Sequence, residues 1–98
     1  MRRLVKLTMV LALAAAAQQL GPQLAGRLPA GPGRKYFYWL CPARSGNATS
    51  LLVWLNGGPG SSSMMGLFLE NGPYWISDDG SVNMRSASWN NNLDVLYV

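Results

Sequence analysis

The chain has 98 residues, which is enough for one small domain at most. Of these residues 49% are apolar and 12% are charged, a composition typical of a folded core and unlike that of a disordered segment. The formal charge is +4, but three of the basic residues lie within the first six, and residues 18–98 carry five basic against four acidic side chains, a net charge of +1. No basic patch with interleaved aromatic residues remains, which excludes nucleic acid as a partner.

The first 17 residues have the pattern of a secretory signal peptide. A basic start leads into an apolar stretch over 7–17, and the alanines at 15–17 form an A-x-A site with cleavage before Gln18. The stretch is about half as long as the ~20 residues of a spanning helix. An amphipathic or buried N-terminal helix and an uncleaved anchor are the alternatives. Because polar positions at helical spacing are missing, we predict entry into the secretory pathway and no stable membrane span.

Asn47-Ala48-Thr49 is an acceptor sequence for N-glycosylation. Such triplets often occur by chance, but this one lies in a polar turn and follows a signal-like segment. We therefore predict glycosylation at Asn47.

The chain contains one cysteine, Cys41. A small exported domain without a disulfide framework depends on its hydrophobic core. An odd cysteine indicates either a partner outside this sequence or a free buried thiol, and both alternatives stay open.

The amino-acid composition of the first half of the chain changes at about residue 34. Residues 18–33 are rich in Gly, Pro, Ala and Gln, which predicts an irregular segment. Strands are predicted over 36–41, which is aromatic, and over 51–55, which is apolar, and we expect them to form a hairpin or to be neighbours in one sheet. The continuous apolar character of 51–55 predicts a strand that is buried on both faces.

The strand at 51–55 ends abruptly in Asn56-Gly57-Gly58-Pro59-Gly60, which we call the glycine loop. Glycine permits positive φ and lets another molecule approach the main-chain N–H groups. Open α/β folds place ligands at the carboxyl edge of the sheet, where this loop would lie. Its donors could hold a carboxylate, a phosphate or the oxyanion of acyl transfer.

A short helix is predicted after the glycine loop, with the serines at 61–63 as candidate N-caps and Asn71-Gly72-Pro73 as its end. Residues 74–76 and 81–84 predict a small hairpin. The chain closes on an apolar strand, 93–98, with no turn or polar tail. Because such a strand needs neighbours on both sides, we expect the chain to be truncated, the N-terminal piece of a longer α/β protein.

Several blocks of residues resemble the serine carboxypeptidases in order and spacing. They are YFYW at 36–39, LVWLNGGPGSSS at 52–63, GLFLENGP at 66–73, SWN at 88–90 and VLYV at 95–98. The resemblance implies that residues 34–98 are the N-terminal part of an α/β-hydrolase domain, an α/β fold of which only the first strands and the oxyanion loop are present. It further implies hydrolysis of the C-terminal residue of peptides through an acyl-enzyme, in secreted or in lysosome-like or vacuolar settings, with no cofactor and no metal.

The resemblance also implies roles for individual residues. Gly57 and Gly58 match the oxyanion-hole glycines, with the Gly58 N–H as the main donor. Asn56 matches the asparagine that binds the terminal carboxylate of the peptide, and Trp54 and Glu70 match its neighbours. Glu70 is the one acid in an apolar segment, so we expect it to be buried. The alternatives are a plain core position for Trp54, an exposed position for Glu70 and a purely structural turn for the loop.

The family's Ser-Asp-His triad is not in this sequence. The chain has no histidine and no G-x-S-x-G elbow, so we expect the 98-residue chain itself to be inactive. The serines at 61–63 have no base and are interpreted as helix caps rather than nucleophiles. Ser61 stands where the family commonly has a disulfide-bonded cysteine, which leaves the partner of Cys41 open.

Two further functions remain as alternatives. The first is a serine carboxypeptidase-like acyltransferase, which passes the acyl group to an alcohol; Asn56 and Glu70 weakly favour the peptidase. The second is a non-enzymatic secreted binding protein, which would have to explain the terminal core strand and the unpaired cysteine.

Overall fold

The computed structural model describes residues 21–98. The signal peptide predicted over 1–17, with its cleavage site, lies outside the described residues. Within them the chain forms six strands and two short helical turns. The strands are β1 (Leu24–Pro29), β2 (Lys35–Cys41), β3 (Leu51–Trp54), β4 (Tyr74–Ile76), β5 (Val82–Met84) and β6 (Asp94–Tyr97).

Four of the strands form a mixed sheet in the order β1-β2-β6-β3. The β1–β2 and β2–β6 pairs are antiparallel, and β3 runs parallel to β6. The aromatic strand predicted at 36–41 and the C-terminal strand predicted at 93–98 are thereby confirmed, within a residue or two at each end. The hairpin predicted after residue 73 is also confirmed, since β4 and β5 pair as a separate two-stranded sheet.

The strand β1 corrects the prediction of an irregular segment over 18–33. It pairs with β2 along its whole length, from Leu24 opposite Leu40 to Pro29 opposite Lys35. Two features of its sequence fit an edge strand. Proline is tolerated at the end of such a strand, and Gly26 lets the ring of Tyr38 lie across the backbone, because a Cβ there would be 2.9 Å from the Tyr38 hydroxyl oxygen.

The strands β2 and β3 do not pair, so the prediction of a hairpin or of direct neighbours is wrong. Strand β6 lies between them, with Val95 opposite both Cys41 and Leu52. The segment that leaves β2 is held by the distant part of the chain, where the Ala43 N–H donates to Asp94 Oδ1 (2.8 Å). After β2 the chain therefore does not return to pair with β2. It passes to the far side of β6, where β3 pairs with β6 in parallel.

The two faces of β3 differ, which corrects the prediction of burial on both sides. Leu52 and Trp54 are half-buried, whereas Leu51, Val53 and Leu55 are 59%, 52% and 68% exposed. Successive side chains of a strand point to opposite faces. The described residues cover one face of this strand and leave the other open.

The core lies on the covered face of the four-stranded sheet. Its buried residues come from β2, β4, β6 and the helical turn after the glycine loop: Cys41, Leu67, Tyr74, Val95 and Tyr97. Half-buried side chains pack around these residues. Two of these side chains, Trp39 and Phe68, contact each other edge to face, with their ring centroids 5.8 Å apart. Burial of these apolar side chains packs the helical turn that contains Leu67 against the sheet.

The predicted helix after the glycine loop is present in a wider and shorter form. Residues Gly66–Glu70 form a turn of π-helix, in which the Asn71 N–H donates to the carbonyl of Gly66 at 2.9 Å. We call this segment the π-turn. Among the predicted serine caps, Ser62 Oγ accepts the N–H of Met64 at 3.2 Å, just before the π-turn. A second short turn, of 3₁₀ type, covers Trp89–Asn91.

Candidate functional site

The polar side chains of the site are placed by the end of β3. Trp54 is the last residue of the strand, and Asn56 follows two positions later on the same side, as strand alternation requires. The indole Nε1–H of Trp54 donates to Asn56 Oδ1 at 2.7 Å. The main-chain N–H of Gly66, at the start of the π-turn, donates to the same oxygen at 3.1 Å.

These two donors fix the orientation of the Asn56 amide. An indole N–H and a main-chain N–H can only donate, so the oxygen of the amide must face them and the nitrogen must face the other way. That nitrogen donates to Glu70 Oε1 at 3.1 Å. Since an amide nitrogen carries two hydrogens, one N–H of Asn56 remains for another acceptor.

Glu70 is the last residue of the π-turn and is exposed. The expectation that it is buried is therefore wrong for the described residues, none of which covers the carboxylate on its outer side. Its bond to Asn56 nevertheless holds the acid beside the free amide N–H. The structure thus brings Trp54, Asn56 and Glu70 together, as the resemblance implied.

Gly66 is a site residue that the sequence interpretation missed. A Cβ at this position would overlap the indole ring of Trp54, so only glycine lets the π-turn approach the strand closely enough for its N–H to reach Asn56. The signal was present in the sequence, because a glycine inside a helical pattern costs stability and usually has a packing reason. Trp89 supports the same indole from another side, with ring centroids 5.4 Å apart and planes at 88°.

The glycine loop is exposed on its outer side from Gly57 to Gly60. A Cβ at Gly57 would meet no atom within 4 Å among the described residues. Gly58 has φ of 150°, which lies in the region that favours glycine, and a Cβ there would be 2.5 Å from Ser61 Oγ. The loop therefore presents main-chain groups to solvent next to the Asn56–Glu70 pair, an arrangement that suits an anionic ligand.

Ser63 is buried and anchors the glycine loop to the sheet. Its hydroxyl accepts the main-chain N–H of Asn56 at 3.1 Å and donates to the carbonyl of Val98. The helix-cap interpretation is wrong for the π-turn, because its N-cap residue is Met65 and no side chain caps it; Ser62 accepts the N–H of Met64 just before that turn, and Ser63 points inward. A run of three serines in the sequence does not indicate which hydroxyl is buried. The contact between Ser63 and Val98 depends on the position of β6, which the sequence does not give.

A cavity of about 580 Å³ adjoins the glycine loop. Its lining includes Asn56, Gly60 and Ser61 from the loop and its flank, Lys35 from the start of β2, and Val98. The cavity lies where the carboxyl ends of the parallel strands β3 and β6 meet, the edge at which α/β sheets hold their ligands.

Cys41 is a free, buried thiol in the core. Burial away from water raises its pKa to about 12, against which the nearby Arg44 guanidinium acts weakly. The thiol is therefore kept protonated, and within the described residues it is free; a disulfide partner outside this sequence stays the alternative.

Asn47 lies in the exposed turn after β2, where its N–H donates to Ser45 Oγ at 3.3 Å. In residues 21–98 no helix combines the length and the apolar character needed to cross a bilayer.

Comparisons with known proteins agree with the sequence interpretation. The family model described as serine carboxypeptidase matches residues 17–98. Carboxypeptidase S1 homolog A of Arthroderma benhamiae is 55% identical over 64 residues, which are 63% of this chain and 10% of that protein. Serine carboxypeptidase-like 36 of Arabidopsis thaliana is 42% identical over 82 residues, 83% of this chain and 17% of that protein.

Among solved structures, the chain is similar to a prohormone-processing carboxypeptidase from Saccharomyces cerevisiae. The TM-score is 0.65 at 33% identity, and the match covers 76% of this chain and 18% of that one. The chain thus spans between about a tenth and a fifth of the length of these relatives.

Proposed function

Because the chain belongs to the serine carboxypeptidase family, we propose that it supplies the oxyanion loop and the carboxylate-binding side chains of a serine-type carboxypeptidase with an α/β-hydrolase fold. The parallel pair β3–β6, with the glycine loop at its carboxyl edge, supports that fold. The chain has no histidine, so a nucleophile with its base must come from residues that this sequence does not contain.

The observation that carries the proposal is the fixed amide of Asn56. Its oxygen is occupied by two donors and its nitrogen keeps one free N–H beside the Glu70 carboxylate. The terminal carboxylate of a peptide can accept that N–H.

The glycine loop provides the second part of the proposed site. The main-chain N–H groups of Gly57 and Gly58 belong to exposed residues that carry no side chain of their own, which leaves a ligand room to approach. They stabilise the oxyanion that develops when the scissile carbonyl is attacked. Loss of one such donor typically costs about 2.7–4 kcal/mol of transition-state stabilisation.

The transcript beyond Val98 gives the first test. We expect it to continue into a Gly-Glu-Ser-Tyr-Ala-Gly elbow, followed later by an aspartate and a histidine. The protein with that continuation should release the C-terminal amino acid from blocked dipeptides, while the 98-residue chain should not. A stop codon directly after Val98, or no release by the extended protein, would overturn the proposal.

A second test separates carboxylate recognition from general damage. In the extended protein, Asn56→Ala should raise KM for a blocked dipeptide acid by about ten- to hundredfold, the usual worth of a hydrogen bond to a charged group. The same dipeptide as its C-terminal amide lacks the charge and should show little change. Asn92→Ala, at an exposed side chain after the 3₁₀ turn, is the matched control. Equal losses on both substrates would rule out the assigned role of Asn56.

We further propose that the protein enters the secretory pathway and is glycosylated at Asn47, whose exposed turn leaves room for a glycan. In secreting cells, endoglycosidase treatment should increase the mobility of the wild-type protein and leave Asn47→Gln unchanged. The mature N-terminus should be Gln18. An Asn47→Gln variant that still shifts would contradict the site, and a retained Met1 would contradict the cleavage.

A further inference from the structure

The π-turn that carries Glu70 ends with carbonyl groups that lack helical donors. Asn71 donates its N–H to the carbonyl of Gly66, five residues back. The donor five residues after Phe68 would be position 73, which is a proline and has no N–H. The carbonyls near the end of the turn therefore need partners from another part of the chain.

Arg85, directly after β5, supplies these partners. Its Nη2 donates to the carbonyl of Phe68 at 2.9 Å, and its Nη1 donates to the carbonyls of Gly72 at 2.8 Å and Leu67 at 3.4 Å. Its main-chain N–H donates to the carbonyl of Pro73 at 2.7 Å. One half-buried side chain thus ties the last residues of the π-turn to the turn that follows.

The charge of the guanidinium suits this position. The free carbonyls at the C-terminal end of a helical turn carry partial negative charge, which a cation stabilises. The rigid fork of arginine can serve several carbonyls at once, which the single ammonium of lysine does less well. The three carbonyls that it contacts span the position of Glu70, since two precede it in the chain and one follows it.

We propose that Arg85 is a positioning residue for recognition of the substrate carboxylate. It holds the π-turn in the position in which two hydrogen bonds to Asn56 can form. Glu70 accepts the Nδ2–H of Asn56, and the N–H of Gly66 donates to Asn56 Oδ1. The inference rests on the proposed function, because it assigns Arg85 to the same site. Small displacements of a binding group have large effects on reactivity, so a loosened turn should weaken capture of the peptide terminus.

Arg44 offers a matched control. Its guanidinium also donates to main-chain carbonyls, those of Arg85 (2.5 Å), Ser86 (3.3 Å) and Pro73 (3.1 Å). None of its hydrogen-bond partners lies in the π-turn. Removal of Arg44 should therefore loosen the segments around β4 and β5 without releasing Glu70.

The experiment compares Arg85→Gln, Arg85→Lys and Arg44→Gln in the extended protein. Arg85→Gln should raise KM for a blocked dipeptide acid by about tenfold with kcat within about twofold, and it should leave the corresponding amide unaffected, as expected for a displaced binding group. Arg85→Lys should restore part of the loss. Arg44→Gln should lower the melting temperature and leave KM unchanged.

Hydrogen exchange gives a readout that does not depend on activity. The amides of Gly66 and Asn71 should exchange faster in Arg85→Gln and at the wild-type rate in Arg44→Gln. If the wild-type extended protein releases no amino acid, the proposed function fails, while exchange still reports whether Arg85 holds the π-turn.

Three results would overturn the role of Arg85. They are equal losses on the acid and amide substrates, the same KM increase in Arg44→Gln, and unchanged exchange at Gly66 and Asn71. Should Arg85→Gln fail to fold, Arg85→Lys keeps the charge and carries the same comparison with a smaller expected shift.

Discussion

Two turns of similar composition flank the segment 61–70 and are used in opposite ways. The glycine loop contains Gly58-Pro59-Gly60 and is exposed, and the turn after the π-turn contains Gly72-Pro73 and is buried. A Cβ at Gly57 would enter open space, whereas a Cβ at Gly72 would collide with the backbone of Leu67. The first turn uses glycine to present its main chain outward, and the second uses it to pack against its neighbour.

The asparagine that begins each turn shows the same difference. Asn71 is buried: its Oδ1 accepts the hydroxyl of Tyr97 at 2.8 Å, and its carbonyl accepts the Ser88 hydroxyl and the Trp89 N–H. Asn56 is also anchored by two donors, but it keeps one N–H for an acceptor that the described chain does not supply. Both asparagines are thus anchored by donors from other segments, and they differ in exposure, since Asn71 is buried and Asn56 is half-buried at the surface.

Glycine-to-alanine substitutions should separate the two turns most clearly. Gly72→Ala forces a Cβ into the Leu67 backbone and should cost about 3 kcal/mol of unfolding free energy, the upper range for overpacking. Gly57→Ala should cost less than about 0.5 kcal/mol, as at an ordinary surface position. Urea denaturation of the extended protein measures both. Equal losses at the two positions would remove the distinction between a packed and a presenting turn.

The contact between Tyr97 and Asn71 should account for the next largest effect. Tyr97→Phe removes a buried hydroxyl and leaves Asn71 Oδ1 without that donor, so we expect a loss of about 1–2 kcal/mol in unfolding free energy. Tyr36→Phe, at a hydroxyl on a side chain that is 63% exposed, is the control and should be nearly neutral. A neutral result for Tyr97→Phe would show that the buried turn does not depend on this bond.

Cys41 tests how well the core beneath the buried turn excludes water. With its pKa raised to about 12 from an ordinary 9.0, the native thiol at pH 8 should alkylate about a thousandfold more slowly than the urea-unfolded chain, because the thiolate is the nucleophile. The raised pKa also links the stability of the fold to pH. The stability associated with the protonated Cys41 thiol is complete below about pH 9 and is lost as the pH rises toward 12. Similar alkylation rates with iodoacetamide in the native and unfolded chains would contradict the burial.

The smallest effect is expected in the exposed turn between β4 and β5. Hydrogen bonds from the side chain of Ser81, then from Ser77 and the Ser81 N–H, lower the pKa of Asp79 to about 2 from an ordinary 3.8. The associated stability is present above about pH 4 and is lost as the pH falls toward 2. An NMR titration should show this pKa, and Ser81→Ala should raise it. An unchanged pKa in Ser81→Ala would mean that exposed turns in this chain are not ordered by their own side chains.

The strands that could be predicted are those whose pattern is local. The aromatic run ending at Cys41 and the hairpin around Asp79 have composition and turn residues that specify them without help from distant segments. Strand β1 was missed because its Gly and Pro are typical of loops, and its strand conformation comes from pairing with β2. The order of β2, β6 and β3 could not be predicted, since it depends on a contact between Cys41 and Val95 across more than fifty residues.

In the site, Asn56, Trp54 and Glu70 were assigned by family resemblance, and their mutual hydrogen bonds confirm that they lie together. Their function in binding remains a prediction. The exposure of Glu70 was the alternative and not the main prediction, because a lone acid in an apolar segment has the pattern of a buried group, whereas its position on the π-turn is exposed. The roles of Gly66 and Ser63 could not be predicted, because they depend on which distant groups contact these residues: the Trp54 indole at Gly66, and the Asn56 N–H at Ser63.

The sequence by itself determined that an apolar strand beginning near residue 51 is followed by a glycine-rich loop, and that the chain has a family-specific order of motifs. These are properties of neighbouring residues, set by side-chain size and by the freedom of glycine. Only the tertiary structure decided that β6 enters between β2 and β3, that the π-turn approaches Asn56, and that Arg85 closes the end of that turn. Each of these depends on packing between segments that are distant in sequence. A contact or a hydrogen bond has two partners, whereas a local sequence pattern gives information on only one of the two segments.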